Sequence, residues 1–155
     1  MKILAIMQNQ WFRDPEAVKR IMAKRPTWRR QLIARFLFAG CKSGRALKQA
    51  FGSSIEDIVW EEASPEIGGE SSSSFPADPK HLQEVLDDVQ PDVVLAFGRI
   101  AERGLDGLVP VEKLIVGPHP AARHPKVPML LRSMALQLER RRVTTAPRAE
   151  EGTPE

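Results

Sequence analysis

The sequence predicts an α/β fold, namely a three-layer α/β/α sandwich around a central, mostly parallel four-stranded sheet. Four short apolar runs alternate with segments that carry helix-start and helix-stop residues, which is the pattern of strands joined by crossover helices. The apolar runs end abruptly, as strands buried on both faces do. The 155 residues, 42% hydrophobic and 28% charged, suit one domain. We expect that domain to span residues 1–143 and a disordered polar tail to span 144–155.

Each strand is predicted from a short, uninterrupted apolar run. The clearest run is Val-Val-Leu-Ala-Phe, which Gly98 ends. The predicted strands are residues 2–7, 55–60, 93–97 and 113–116.

The helices are predicted from capping residues, prolines and glycines. Asp14 and Pro15 start the first helix, with the aspartate as N-cap and the proline at the first helical position. Ser43 is expected to cap the third helix. The predicted helices are residues 15–24, 28–39, 43–52, 79–89, 99–104 and 128–142. Residues 64–78 are rich in proline, glycine and serine, so we expect a mobile loop there.

The composition excludes several kinds of site. The single cysteine, Cys41, excludes an intrachain disulfide framework and a multi-cysteine zinc site. The three histidines show no ligand spacing, so we expect no metal and no cofactor. No apolar run approaches the ~20 residues that span a bilayer. Polar residues 8–10 interrupt the first apolar run, so it does not fit a signal peptide. We therefore expect a cytoplasmic monomer without membrane association.

Charge is distributed unevenly along the chain. Residues 13–48 hold eleven basic and two acidic residues, whereas residues 56–92 hold eleven acidic residues and one lysine. Residues 123–142 are basic again. Two basic segments in one domain can present a positive face to a polyanion such as DNA. Charge runs of this kind also fit ordinary solvated helix faces.

Polar residues follow the predicted strands at the edge where parallel sheets bind ligands. Residues 8–10 follow the first strand, and Glu61 and Glu62 follow the second. Arg99 follows the third strand and His119 the fourth. These residues are therefore the first candidates for a functional site.

Two loops carry a resemblance to a known family. The first strand ends in a short polar loop with Asn9, and a late strand ends in the Gly-Pro-His-Pro loop of residues 117–120, with His119. Residues 91–101 between them fit a strand, a glycine and a helix with a small residue. In these features the chain resembles the uracil-DNA glycosylase superfamily over residues 1–142. That family has an Asp or Asn in its first loop and a His-Pro-Ser-like second motif.

The chain also departs from the family's pattern. Met7 and Gln10 stand where the first motif usually has glycine and proline, and Ala121 stands where the second motif has serine. Family members commonly place an asparagine after the second strand to read the base edge. Here Glu61 or Glu62 lies nearest to that place.

The resemblance implies a DNA glycosylase that flips uracil or a related damaged or modified pyrimidine out of DNA and hydrolyses its N-glycosidic bond. Asn9 would position the attacking water, because an amide cannot take a proton. His119 would stabilise the negative charge on the leaving base. The expected base-binding residues are Gln8, Trp11, Phe12 and Glu62. The expected DNA contacts are Lys42, Ser43, Arg99, Ala122, Arg123 and Lys126, with Ala122 as a candidate wedge.

Two other functions remain open from the sequence. The altered first motif and the missing base-reading asparagine favour a non-catalytic DNA-binding protein on the same fold. A hydrolase or transferase that acts on free nucleosides or nucleotides is the third possibility.

Overall fold

The computed structural model describes residues 1–24 and 29–146. In chain order the strands are β1 Ile3–Met7, β2 Gln10–Trp11, β3 Ile58–Glu62, β4 Ile67–Gly68, β5 Val93–Phe97 and β6 Leu114–Gly117. The α-helices of the described ranges are α1 Pro15–Lys24, α2 Arg29–Leu37, α3 Lys42–Phe51, α4 Pro79–Val89, α5 Arg99–Leu105 and α6 Val127–Thr145. Two 3₁₀-helices cover Gly52–Asp57 and Val111–Lys113.

The central sheet has four parallel strands in the order β3-β1-β5-β6. Successive side chains of β1 alternate between its two faces. Ile3 and Ala5 pack with residues of α2, α3 and α6, whereas Leu4 and Ile6 pack with residues of α4 and α5. Helices therefore cover both faces of the sheet, and the predicted α/β/α sandwich is confirmed.

The second strand along the chain that belongs to the central sheet begins and ends later than predicted, so Glu61 and Glu62 are its last two residues rather than the residues that follow it. It starts at Ile58, because residues 52–57 form a 3₁₀-helix. Gly52, with a φ of 57°, turns the chain out of α3. Ile55 lies in this 3₁₀-helix and is buried there, so its apolar side chain was wrongly interpreted as the start of the strand.

The predicted cap is correct at α1 and wrong at α3. Asp14 Oδ1 accepts a hydrogen bond from the Ala17 N–H at 3.1 Å, and Asp78 caps α4 in the same way. The prediction that Ser43 caps α3 is wrong, because the helix begins at Lys42 and Cys41 is its N-cap. A Cβ at Gly44 would lie 1.8 Å from the Leu37 carbonyl oxygen, so the first turn of α3 packs directly on the end of α2. Cys41 Sγ accepts a hydrogen bond from the Gly44 N–H at 3.4 Å, so the cap lies two residues earlier than predicted.

Residues 64–78 are not simply an irregular loop. Within them, β4 pairs in parallel with β2, so that Gln10 lies opposite Ile67 and Trp11 opposite Gly68. The Phe12 N–H also donates to the Gly68 carbonyl at 2.8 Å. This small second sheet joins the segment after β1 to the segment after β3.

The C-terminal helix extends further than predicted. It includes Thr144 and Thr145, the first two residues of the expected tail. Residues 147–155 of that tail lie outside the described residues, as does Trp28, with which the second helix was expected to start. None of the helices in the described ranges is long and apolar enough to cross a membrane.

Candidate functional site

A cavity of about 580 Å³ lies at the carboxyl edge of the central sheet. It is bounded by residues that follow β1, β3 and β6 and by the start of α3. The chain leaves β1 for β3 on one side and returns to β5 on the other, which is where open α/β sheets bind ligands. The predicted site residues that line the cavity are Gln8, Asn9, Trp11, Phe12, Lys42, Ser43, Glu62, His119 and Arg123.

The side chain of Asn9 is fixed by two backbone carbonyls. Its Nδ2 donates to the carbonyl oxygens of Gln10 at 3.1 Å and Ser73 at 3.3 Å. Because carbonyls accept only, the amide nitrogen must face them. Oδ1 is buried and has no hydrogen-bond partner among the described residues. Asn9 therefore has an oriented hydrogen-bond acceptor without a partner among the described residues, in a residue that lines the cavity.

The imidazole of His119 is oriented by its own loop. The Ala121 N–H donates to Nδ1 at 3.1 Å, so the ring proton of the neutral form sits on Nε2. Burial lowers the pKa of His119, which favours that neutral form. Gly98 lies against it, since a Cβ there would be 3.2 Å from the His119 Cβ. His119 therefore offers a hydrogen-bond donor without a positive charge.

Glu62 is the buried acid of the cavity. Its side chain is 2% exposed, and Oε1 accepts a hydrogen bond from Gln10 Nε2 at 2.8 Å. Oε2 is buried without a partner among the described residues. Burial, reinforced by the charge of Glu61, raises the pKa of Glu62 to about 8, against the opposing effects of Gln10 and Arg29. Glu62 is therefore mainly a neutral carboxylic acid at pH 7.

Glu61 is equally buried but has cationic partners. Arg29 Nε lies 2.9 Å from Oε1, Arg30 Nε lies 3.4 Å from Oε2, and His81 Nε2 lies 3.6 Å from Oε1. Burial alone would raise the pKa of Glu61, but His81 and the charge of Arg29 together lower it to about 2. Glu61 is therefore ionised, and the two adjacent glutamates carry different charges.

Aromatic rings form one wall of the cavity. Trp11 is 46% exposed. Phe12 packs edge to face on Phe36, with ring centroids 4.8 Å apart. An aromatic wall of this kind suits a flat, unsaturated ligand.

A serine segment forms another wall of the cavity. Ser71 and Ser73 line it, and Gln8 Nε2 donates to Ser74 Oγ at 2.9 Å. These contacts join the loop after β1 to a segment more than sixty residues away in sequence.

Three expected DNA contacts lie outside this cavity. Arg99 and Ala122 line a neighbouring cavity of about 570 Å³, and His119 borders both. Lys126 immediately precedes α6 and lines neither cavity. Lys42 and Arg123 are the cations that the cavity wall contains.

Sequence reasoning missed several residues of the site. It did not identify Phe36 or Ser73, nor the hydrogen bond of Gln10 with Glu62, nor the ion pair of Glu61 with Arg29. The predicted mobile loop hid Ser73, and the arginines precede β3 by about thirty residues, which leaves no local signal for the pairing. Phe36 could have been found from its place on α2, because it is an aromatic residue in an arginine-rich helix.

Across residues 1–24 and 29–146, no cluster of three or more His, Cys, Asp or Glu side chains is arranged to hold a metal ion. The chain matches no protein-family model, no curated protein and no solved structure. Its function must therefore be argued from the site itself.

Proposed function

We propose that this protein is a DNA glycosylase that flips uracil or a related damaged or modified pyrimidine out of DNA and hydrolyses its N-glycosidic bond without a cofactor. One observation carries the proposal: Asn9, whose Oδ1 is an oriented acceptor without a partner among the described residues, and His119, whose neutral ring is an oriented donor, line the same cavity. The cavity volume falls within the range of about 300–1,000 Å³ that is usual for small-molecule sites.

The proposed reaction adds water across the bond between C1′ of the sugar and the base. As that bond lengthens, the sugar gains positive character and the base gains negative charge. The Nε2–H of His119 donates to a carbonyl oxygen of the base, where that negative charge develops. Asn9 Oδ1 accepts a hydrogen bond from the water and holds it against C1′. The water oxygen bonds to C1′, and the proton it loses ends on the released base.

Residues around the cavity supply contacts that DNA binding requires. Lys42 and Arg123 contribute positive charge, which favours the phosphates that flank an extruded nucleotide. Trp11 and Phe12 offer rings on which the base can stack. A cytoplasmic location is part of this proposal.

A glycosylase assay on labelled oligonucleotides tests this function. Single- and double-stranded substrates would carry uracil, 5-hydroxymethyluracil, hypoxanthine or no lesion, and alkali would convert abasic sites to strand breaks. We expect cleavage at a modified pyrimidine, reduced about 100-fold or more by His119→Ala because one charge-stabilising donor is lost. Asn9→Ala should lower the rate in the same way.

His124→Ala is the matched control. His124 Nδ1 also accepts a backbone N–H, from Lys126 at 3.2 Å, but this histidine is exposed and does not line the cavity. The His124→Ala variant should therefore cleave the modified oligonucleotide at the rate of the wild type. Equal losses in the two histidine variants, or no cleavage of any base, would contradict the proposal.

A non-catalytic DNA-binding protein is the second candidate. The absence of an ionised carboxylate among the residues that line the cavity favours it, because Glu62 is neutral and Asn9 cannot act as a base. Salt-sensitive DNA binding without cleavage, unchanged in His119→Ala, would support this alternative. An enzyme of free nucleosides would bind its ligand with little salt dependence.

A further inference from the structure

The carboxyl group of Glu62 has one oxygen committed to the protein and one oxygen free. Oε1 accepts from Gln10 Nε2, so the proton of the neutral acid belongs on Oε2. Oε2 is buried, lies in a residue that lines the cavity and has no partner among the described residues. A buried hydroxyl group without a partner is costly, and a ligand acceptor would remove that cost.

The charges around Glu62 come from several elements. Glu61 precedes it on β3 and forms the ion pair with the nearby Arg29 of α2, whose Nε lies 2.9 Å from Glu61 Oε1. His81 of α4 contacts the backbone carbonyl of Glu62 at 3.1 Å rather than its carboxyl group. His119, Lys42, Arg123 and Cys41 line the same cavity. Within the described ranges, no cation forms an ion pair with the Glu62 carboxyl group.

We propose that Glu62 determines base specificity as a neutral carboxylic acid, donating from Oε2 to a carbonyl oxygen of the base, so that the cavity accepts keto pyrimidines and rejects amino pyrimidines. This inference rests on the proposed function, since it takes the ligand to be a base. Uracil presents a carbonyl acceptor at the position where cytosine presents an amino donor. An amino group facing the Glu62 hydroxyl would leave two buried donors without an acceptor, and relieving that mismatch requires Glu62 to ionise, which costs about tenfold in affinity at pH 7, one unit below its pKa of about 8.

Ionisation of Glu62 removes the donor. Because the pKa of Glu62 is about 8, the neutral acid predominates at pH 6–7 and is lost as the pH rises above 8. Uracil affinity should therefore fall about tenfold for each pH unit above that value. Glu62→Gln keeps a donor of similar shape and cannot ionise.

Binding of free uracil and free cytosine, measured by protein-observed NMR titration between pH 6 and pH 9, tests the inference without requiring catalysis. At pH 7 the wild type should bind uracil about tenfold more tightly than cytosine, and this preference should shrink as the pH rises. Glu62→Gln should keep the preference for uracil, and its affinity should fall less steeply with pH. Ionisation of free uracil at high pH affects the wild type and Glu62→Gln equally. The difference between their two plots of uracil affinity against pH therefore reports the ionisation of Glu62 alone. The exposed Glu66→Gln variant is the control and should behave like the wild type.

Three results would overturn the inference: equal binding of the two bases, the same pH profile in wild type and Glu62→Gln, or binding of neither base. Its failure is distinct from failure of the proposed function. Selective uracil binding without strand cleavage would leave the role of Glu62 intact and reject only catalysis. Strand cleavage by a protein that binds the two bases equally would reject the role of Glu62 and leave the proposed catalysis intact.

Discussion

Adjacent positions on β3 place two identical side chains in opposite chemical states. Strand geometry sends Glu61 and Glu62 to opposite faces of the sheet. Glu61 meets Arg29 and His81, whereas Glu62 meets an amide, Gln10. The difference in pKa between the two carboxyl groups follows from these partners, because both side chains are equally buried.

Glu61→Gln should lower stability at neutral pH and flatten the loss of stability in acid. The folded pKa of about 2 lies below the ordinary value of 4.5, so the contribution of Glu61 is present above pH 4.5 and is lost as the pH falls toward 2. Removing one partner of a buried pair costs about 3–5 kcal/mol. At about 2–4 °C per kcal/mol for a chain of this size, the melting temperature at pH 7 should fall by roughly 6–20 °C.

Thermal unfolding followed by circular dichroism between pH 3 and pH 7 measures this effect. Asp57→Asn is the control, because the exposed Asp57 forms a surface pair with Arg142 at 3.3 Å. Surface pairs contribute about 0–1 kcal/mol, so this variant should melt close to the wild type. If the two variants lost the same stability at pH 7, the Glu61 pairs would not matter to the fold.

The sequence reveals single site residues better than their partners. Asn9 and His119 are recognisable because each follows a strand and is chemically unusual where it stands, the first as the sole asparagine and the second between two prolines. Two of the hydrogen bonds that orient them are local and involve Gln10 and Ala121, whereas the third comes from Ser73, 64 residues from Asn9. That distant contact was the part that sequence reasoning could not supply.

At the scale of elements, the junction between α2 and α3 forms part of the cavity wall. Leu37 ends α2 and lines the cavity together with Cys41 and Lys42 at the start of α3. Gly44 permits the close approach of the two helices. The position of Lys42 at the cavity therefore depends on Gly44, two residues later.

Gly44→Ala should destabilise the protein. The added Cβ would lie 1.8 Å from the Leu37 carbonyl oxygen, and a backbone atom cannot move aside cheaply. Overpacking of this kind costs about 1–3 kcal/mol, which exceeds the gain of up to about 1 kcal/mol from replacing a helical glycine. Urea unfolding would measure the loss. Gly69→Ala is the control, because nothing lies within 4 Å of a Cβ there. A Gly44→Ala variant as stable as that control would contradict this account of the junction.

Elements with local signals were predicted well. Helices α1 and α4 have an aspartate cap followed by proline, and β5 has an uninterrupted apolar run. The pair β2 and β4 was missed because two-residue strands carry no periodicity and their pairing is distant in sequence. The 3₁₀-helix before β3 was missed because one buried isoleucine, Ile55, resembles the start of a strand.

At the scale of the whole molecule, the cavity lies at one edge of the sheet, and cations from distant parts of the chain line it. Lys42 comes from the start of α3 and Arg123 from the loop after β6. The acidic segment 56–92 contributes only Glu62 among its charged residues to the cavity wall. The charge asymmetry visible in the sequence therefore leaves cations and a neutral acid at the cavity.

The double variant Lys42→Ala/Arg123→Ala should bind DNA more weakly than the wild type, and its binding should depend less on the salt concentration. Each lost phosphate contact lowers the slope of log K against log salt by about 0.7–0.9, so the two together should lower it by roughly 1.4–1.8. Fluorescence anisotropy with a labelled oligonucleotide at several salt concentrations measures this slope. Lys80→Ala is the control, because Lys80 is exposed on α4 and outside the cavity. An unchanged slope in the double variant would show that DNA does not contact these cations.

The central position of β1 has a consequence for how the protein forms during synthesis. This strand leaves the ribosome before its two neighbours, β3 and β5, and before α6, whose Leu131 and Met134 belong to the core that covers one face. Its five buried residues therefore stay exposed until most of the chain has been made. A nascent chain that stalls before residue 131 presents a sheet face that α2 and α3 cover only in part, and exposed apolar surface of this kind is prone to aggregation and is bound by chaperones.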